Sequence, residues 1–265
     1  MEAVLENHSK NHDPATLPHL KVKPSDMELT AKIEPFDSFW EAPRDIEKGY
    51  RTFSKFYKHN YLEYVPTNKD ASILAISCGT GYFINLLERE GYKNTLGIDS
   101  DSDKVEYAKK KGFNCMTARA FPFLEDHSDT FDLIFCEQEL NHMTKEEIIV
   151  FLQLCKDSLK PNGILLVHTL NGANPITGAE ALAQNFDHYN TFTEYSLQQI
   201  LEYVGFSHIK IFPLFLYVFW SNPLNYILIA MEKLYSLFFT INFMMYGKTN
   251  RIWTKKIAAV CKKSG

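Results

Sequence analysis

Residues Ile73–Phe83 read ILAISCGTGYF, and Leu96–Asp99 read LGID. An apolar strand runs into a glycine turn, a helix follows, and a second strand ends on an acid twenty residues after Gly79. Gly79 and Gly81 let the backbone turn sharply and put no Cβ between it and a ligand. The helix that follows presents unpaired N–H groups above the strand ends. Asp99, at the second strand's tip, is placed to accept hydrogen bonds from two ribose hydroxyls. The stretch reads as a cradle for a nucleoside.

A dinucleotide fingerprint, G-x-G-x-x-G/A, needs a third small residue for close helix–strand packing near a pyrophosphate. Here that position is Ile84, large and β-branched, so the turn suits a ligand without a pyrophosphate. The CGTG run with Asp99 beyond it resembles the first two motifs of the class I S-adenosylmethionine-dependent methyltransferases, and the resemblance extends from about Tyr50 to Lys262. The family's first motif has an acid, an apolar residue, then G-C-G-T-G. Ala75 stands here for the acid and Ser77 for the first glycine, which puts the contact to the cofactor's amino end in question. Ser77 is tolerated there if its backbone is an ordinary strand end.

The resemblance implies S-adenosylmethionine as cofactor and S-adenosylhomocysteine as product. It implies contacts from Ser77, Cys78, Gly79, Thr80, Gly81, Asp99 and Ser100. Gln138 would lie near the methyl, and Ala120 and Phe121 would lie at the adenine, where Arg119 replaces a usual acid. It also implies an α/β, Rossmann-like fold, a seven-stranded, mostly parallel sheet with helices on both faces, to which the residues of this chain add an apolar helical insert (213–250) before the last strand.

The residues themselves support that architecture. Strands are expected at 72–77, 95–99, 113–117, 131–136, 163–169, 207–212 and 254–261, with helices at 81–91, 102–111, 144–159 and 194–204. Such alternation means a parallel sheet covered on both faces. Pro161-Asn162-Gly163 is expected to be a turn that stops a helix and starts a strand. The last two strands would form an antiparallel addition. Apolar positions at Ile46, Tyr50, Phe53, Phe56/Tyr57 and Tyr61 predict an amphipathic helix within 44–64. In the resembled family a helix here covers the cofactor.

Residues 1–30 read as a mobile tail, polar and proline-punctuated, and the remainder as one domain. Histidines 8, 12 and 19 lack metal-ligand spacing, and no metal site or phosphate loop is expected. The N-terminus has no secretory character. The five cysteines (78, 115, 136, 155, 261) show no CxxC and suit reduced, buried thiols in a cytoplasmic protein. A net charge of −4, without a basic stripe, gives no reason to expect nucleic acid.

Within 213–250, residues 222–246 (NPLNYILIAMEKLYSLFFTINFMMY) predict a helix starting at Pro223. Glu232, Lys233, Ser236 and Thr240 share one narrow stripe, and the rest is apolar. The central charges argue against a spanning helix. Its surface must be buried in the protein, in a second copy of the chain, or at a membrane surface.

Methyl transfer to a hydroxyl needs a placed base, and α/β ligands bind beyond strand ends. Glu137 lies nearest the tip of the fourth strand, followed by Gln138 and His142, where Asn141-His142 replaces the family's Glu-His. His142 could equally cap a helix or pack. The run 184–201 (QNFDHYNTFTEYSLQQIL) is similar to a D-x-x-H-x-x-x-F-T segment of methyltransferases encoded among bacterial surface-polysaccharide genes. Phe192 and Thr193 match, and Asp187 departs from the spacing. His188 becomes another candidate base, or a histidine that merely orders the loop. Tyr189, Phe192, and Phe36 or Trp40 could stack on a sugar.

The expected activity is O-methylation of a sugar or glycan intermediate at the inner face of the cytoplasmic membrane. The rivals are a small lipophilic acceptor (a quinone precursor or polyketide) and a non-catalytic cofactor-binding scaffold. An NAD-dependent oxidoreductase is disfavoured by Ile84.

Overall fold

The computed structural model describes residues 43–137, 139–184, 188–216 and 223–264. The expectations for the N-terminal tail, Phe36, Trp40, Gln138 and Asp187 lie outside them. Seven strands form one sheet in the order β3-β2-β1-β4-β5-β7-β6. They are β1 (Ser72–Ile76), β2 (Asn94–Asp99), β3 (Cys115–Thr117), β4 (Phe131–Glu137), β5 (Leu159–Leu170), β6 (Phe206–Leu214) and β7 (Lys256–Lys263). Strands β3, β2, β1, β4 and β5 pair in parallel. Only β7 runs against them, inserted between β5 and β6. The antiparallel addition is therefore one strand, because β6 returns to the direction of the other five.

The near-continuous apolar runs of β1, β4 and β5 follow from burial on both faces. One core packs Leu74, Ile134 and Leu165 under Phe151 and Leu201; the other packs Ile73, Leu133 and Leu166 under Phe83 and Leu87. The helices are α1 (Pro43–Asn60), α2 (Tyr82–Arg89), α3 (Ser102–Lys110), α4 (Ala120–Glu125), α5 (Lys145–Ser158), α6 (Pro175–Gln184), α7 (Glu194–Val204) and α8 (Leu224–Met245). Asp101, Thr144 and Thr193 cap α3, α5 and α7 through their side chains.

Three local expectations change. Pro161-Asn162-Gly163 lies inside β5 as a bulge, with Asn162 at φ 63°, because the register slips between the Phe131–Leu159 and Leu133–Ile164 pairs. Helices α4 and α6 were not foreseen. The first is a single turn and a half; the second starts where Asn174 Oδ1 accepts the N–H groups of Ile176 and Thr177, both at 3.0 Å. Finally, α8 does not bury its apolar surface: within it only Asn225 is buried.

The strand order reverses beside β1, whose neighbours are β2 and β4. Ligands of open α/β sheets bind at such a switch point, beyond the carboxyl ends of the strands. Close packing there demands Gly97 on β2. A Cβ on it would lie 2.7 Å from Cys78 Sγ, 2.9 Å from Cys78 Cβ and 2.8 Å from Cys115 Sγ. Gly97→Ala is expected to cost about 1–3 kcal/mol of unfolding free energy, because Cys78 Cβ is fixed to the turn and cannot yield. Urea denaturation checks this.

Candidate active site

The turn after β1 is held by backbone bonds. Cys78 N–H donates to Ile98 O (3.0 Å) and Gly81 N–H to Cys78 O (2.8 Å). Gly79 (φ 52°) and Gly81 (φ 87°) occupy the left-handed region, where glycine carries no steric cost. A Cβ on Gly79 would meet nothing within 4 Å, whereas one on Gly81 would meet Phe113 Cδ2 at 2.8 Å. The backbone at Gly79 therefore faces open space.

Ser77 is not at an ordinary strand end. Its φ of 54° is also left-handed, which costs a non-glycine residue about 1–2 kcal/mol. The turn needs a glycine-like conformation at the position where the resembled family has glycine. The Ser77 hydroxyl donates to Glu139 Oε1, tying the β1 turn to the segment after β4.

Asp99 closes the other side. Its Oδ2 accepts Gly79 N–H (2.8 Å) and its Oδ1 accepts Asp101 N–H (2.9 Å). A carboxylate oxygen has lone-pair capacity for a second donor, so Asp99 can order the turn and still accept from ribose. Ser100 follows it, exposed. Cys78 turns its side chain inward toward Gly97 and Cys115. Just beyond β3, Ala118 N–H donates to Asp99 O (2.9 Å). Ala120 is half-buried, while Phe121 packs into the core against Phe151 (ring centroids 5.9 Å). Phe121 can offer a ligand only its backbone. Open space at Gly79, a strand-tip carboxylate with capacity for a further donor and bulky Ile84 at the fingerprint's third position fit S-adenosylmethionine.

Helix α1 roofs this crevice. Tyr50 donates to the Thr80 carbonyl (2.7 Å). Gly49 lets Tyr82 pack so closely that a Cβ would lie 2.5 Å from its hydroxyl. Two turns on, Tyr57 donates to Glu137 Oε2 (2.5 Å), and Tyr61 shares a hydrogen bond with His168 Nδ1. His168 Nε2 lies 3.4 Å from Glu137 Oε1. Burial holds His168 well below the usual histidine range, so it is neutral. Nδ1 shares the Tyr61 bond, and Nε2 faces Glu137 without completing a hydrogen bond. Burial raises the Glu137 carboxyl and lowers nearby Lys256, which the Glu137 charge pulls back up. Glu137 thus ties α1 to β4 through Tyr57, and His168 of β5 faces its other oxygen. The sequence reading missed His168, Tyr57, Tyr61 and Lys256 as polar partners. The two tyrosines sit at i and i+4 among apolar residues and read as packing.

Glu139 is pushed up from the ordinary 4.5 to about 7 by burial, with Asp99 raising it further and the Ser77 bond opposing. The folded protein then holds a proton that the unfolded chain has released. This contribution to stability is fully present below about pH 4.5 and is lost as pH rises through about 7. Glu139→Gln is expected to remove that slope from stability measured across pH 4.5–7.5.

Beyond β4 and β5 the structure brings the two other candidate bases together. Asn141, fully buried, is the anchor. Its Oδ1 accepts from Thr169 Oγ1 (3.0 Å) and Leu170 N–H (3.3 Å), its Nδ2 donates to Asn190 O (2.6 Å), and its carbonyl accepts Tyr189 N–H (2.8 Å). His142 and His188 consequently meet edge to face, centroids 4.6 Å apart, both half-exposed. His188 Nδ1 lies 2.7 Å from Ala181 O. A carbonyl only accepts, so Nδ1 carries the proton and Nε2 of the neutral ring carries the lone pair. Phe192 is buried in the core and cannot stack on a ligand, whereas Tyr189 is 45% exposed.

Residues 49–211 match the methyltransferase-domain family. The chain is 30% identical over 121 residues to the ubiquinone biosynthesis O-methyltransferase of Bradyrhizobium diazoefficiens, covering 41% of this chain and 45% of that protein. It is 23% identical over 176 residues to the protein of that name from Shewanella pealeana, covering 62% and 72%. The chain therefore spans less than half the length of the first of these curated relatives. Among solved structures, a SAM-dependent methyltransferase from Archaeoglobus fulgidus superposes with a TM-score of 0.59 at 20% identity, covering 82% of this chain and 98% of that one. At that identity the likeness is one of fold.

Proposed function

Because the chain belongs to the methyltransferase-domain family, we propose that it is an S-adenosylmethionine-dependent enzyme that methylates a hydroxyl of a small lipophilic acceptor, with His188 as the base. The observation that carries this reading is the His188 Nδ1–Ala181 carbonyl bond beside His142. It fixes the tautomer a proton acceptor needs, at the end of the sheet where the glycine turn and Asp99 lie.

The cofactor, when bound, supplies an electrophilic methyl on a sulfonium with a neutral leaving group. The chain supplies placement and proton removal. Asp99 and the Gly79 backbone hold the nucleoside end, and α1 covers it and excludes water. His188 Nε2 takes the acceptor hydroxyl's proton as the oxygen attacks. The His142 ring, seated by Asn141, fixes the orientation of the His188 imidazole. Glu137, engaged by Tyr57 and His168, positions α1.

The lipophilic class draws support from the relatives, which are named for ubiquinone biosynthesis, and from the burial of Phe192, which removes one sugar-stacking ring. A glycan intermediate is the second reading; exposed Tyr189 beside His188 favours it. S-adenosylhomocysteine release over a panel of phenols, hydroxyquinone precursors and nucleotide sugars tests the choice. Turnover is expected with the phenolic acceptors. Turnover with nucleotide sugars alone would reverse the assignment. An absence of heat when millimolar S-adenosylmethionine is titrated in would make the chain a scaffold and end the enzymatic reading.

A further inference from the structure

Helix α8 is built inside out for a water-facing helix. Thr240 of its polar stripe and part of its aromatic content turn toward the domain. Thr240 Oγ1 accepts Trp253 Nε1–H (2.8 Å), and Tyr235 donates to Asn174 Oδ1 (3.1 Å). Phe239 and Phe243 lie on the Trp253 ring at 5.9 and 4.4 Å. The opposite side carries Ile227, Met231, Leu234, Phe238, Ile241 and Met245, spaced by fours and threes, each between 52% and 80% exposed. Such spacing makes one continuous apolar stripe, the kind of surface that marks an interaction or membrane face.

By length and composition α8 could cross a membrane. Its bonds to Trp253 and Asn174 hold it along the side of the domain, so it can meet a bilayer only lying flat.

The charges around the stripe say what covers it. Between Pro223 and Lys255 there is one acid, half-buried Glu232, against four exposed bases, Lys233, Lys248, Arg251 and Lys255. At the helix's other end Asn225 borders a cleft of about 980 Å³ shared with α1. Lys48, Arg51, Lys55, Lys58 and Arg89 line that cleft, with Glu90 as its single acid, paired to Lys58 at 2.7 Å. The four on α1 recur at three- and four-residue steps, which puts them on one helix face. This concentration of positive charge occurs in a chain whose net charge is −4. A two-fold dimer through α8 would bring like charges together. An anionic lipid surface satisfies both features at once: apolar residues enter the headgroup–acyl boundary, and bases flank it.

We propose that α8 is an in-plane anchor for an anionic phospholipid bilayer, with its outward stripe among the acyl chains and the α1 cleft and Lys248–Lys255 on the headgroups. The anchor is independent of which acceptor the enzyme methylates.

The full chain is sedimented with vesicles of phosphatidylcholine containing 30% phosphatidylglycerol, and with phosphatidylcholine alone. The expected result is strong co-sedimentation with the anionic vesicles, at least tenfold weaker with neutral ones, and falling steeply with salt. Leu234→Glu/Phe238→Glu is expected to reduce it at least tenfold while S-adenosylhomocysteine binding and turnover of a soluble acceptor stay at wild-type level. Met231→Glu/Ile241→Glu, on the same stripe, serves if the first pair does not fold. Lys48→Glu/Arg51→Glu should abolish the preference for anionic vesicles. Sedimentation no greater than that of a soluble control would overturn the proposal, as would undiminished binding by the stripe variants. A dimer in light scattering that Leu234→Glu/Phe238→Glu dissolves, without vesicle binding, would assign the face to a second copy instead. Loss of membrane binding with intact turnover would leave the enzymatic reading standing.

Discussion

His188→Ala is expected to lower kcat by about 10²–10⁴-fold, the contribution of a positioned base, while S-adenosylhomocysteine affinity stays near wild type. The carbonyl of Ala181 fixes the His188 ring by its Nδ1 side, so the lone pair on Nε2 can take a proton without a tautomer change. His188→Asn is the sharper control. Its amide N–H can replace the bond to Ala181, preserving the loop, but it cannot act as a base, so its kcat should fall as far as that of alanine. A purely structural histidine would be rescued by that substitution. The deficit should also shrink toward high pH with a phenolic acceptor, whose own hydroxyl ionises near pH 10, since an ionised acceptor needs no base. His142→Ala is expected to have a smaller effect on kcat, because it would release the ring that His188 leans on without removing the proton acceptor. If both alanine variants keep full activity, the pair is not the base.

Asp99→Ala is expected to weaken S-adenosylmethionine binding by about 5- to 150-fold, equivalent to roughly 1–3 kcal/mol. Two losses combine. The ribose loses its acceptor, and the Gly79 and Asp101 N–H groups lose the carboxylate that orders the turn. Asp99→Asn should be nearly as damaging, because an amide has one acceptor oxygen for two backbone donors. kcat at saturating cofactor should change far less than affinity. Titration calorimetry with S-adenosylhomocysteine reads the effect. Unchanged affinity would remove Asp99 from the site.

The parts of this protein that were legible in the sequence are those whose cause is local. The Gly79–Gly81 turn and Asp99 declare themselves because a left-handed backbone and a strand-tip acid each restrict residue type at one position. The strands followed from apolar runs bounded by turns. The left-handed backbone of Ser77 was not legible, because its angle is set by the turn's neighbours and not by serine. Helix α6 was missed because its start depends on the Asn174 side chain, inside a stretch that read as a loop. The meeting of His142 with His188 depends on Asn141 joining segments forty-nine residues apart, and pairings across that distance leave no periodic trace. His168 lay in plain view, but its partners Tyr61 and Glu137 come from α1 and β4. The outward turn of α8 was equally hidden. A narrow polar stripe signals that one side differs, but which side faces the domain was decided by Trp253 and Asn174.

Helix α1 grips the glycine turn with Tyr50 and the far end of the crevice with Tyr57 and Tyr61. A single rigid rod thus spans the doorway and the hinge side together. For a nucleoside bound beneath it, departure would wait for those tyrosine latches to part. Tyr50→Phe and Tyr57→Phe, which remove the latches, should therefore raise the dissociation rate of S-adenosylhomocysteine in a stopped-flow chase.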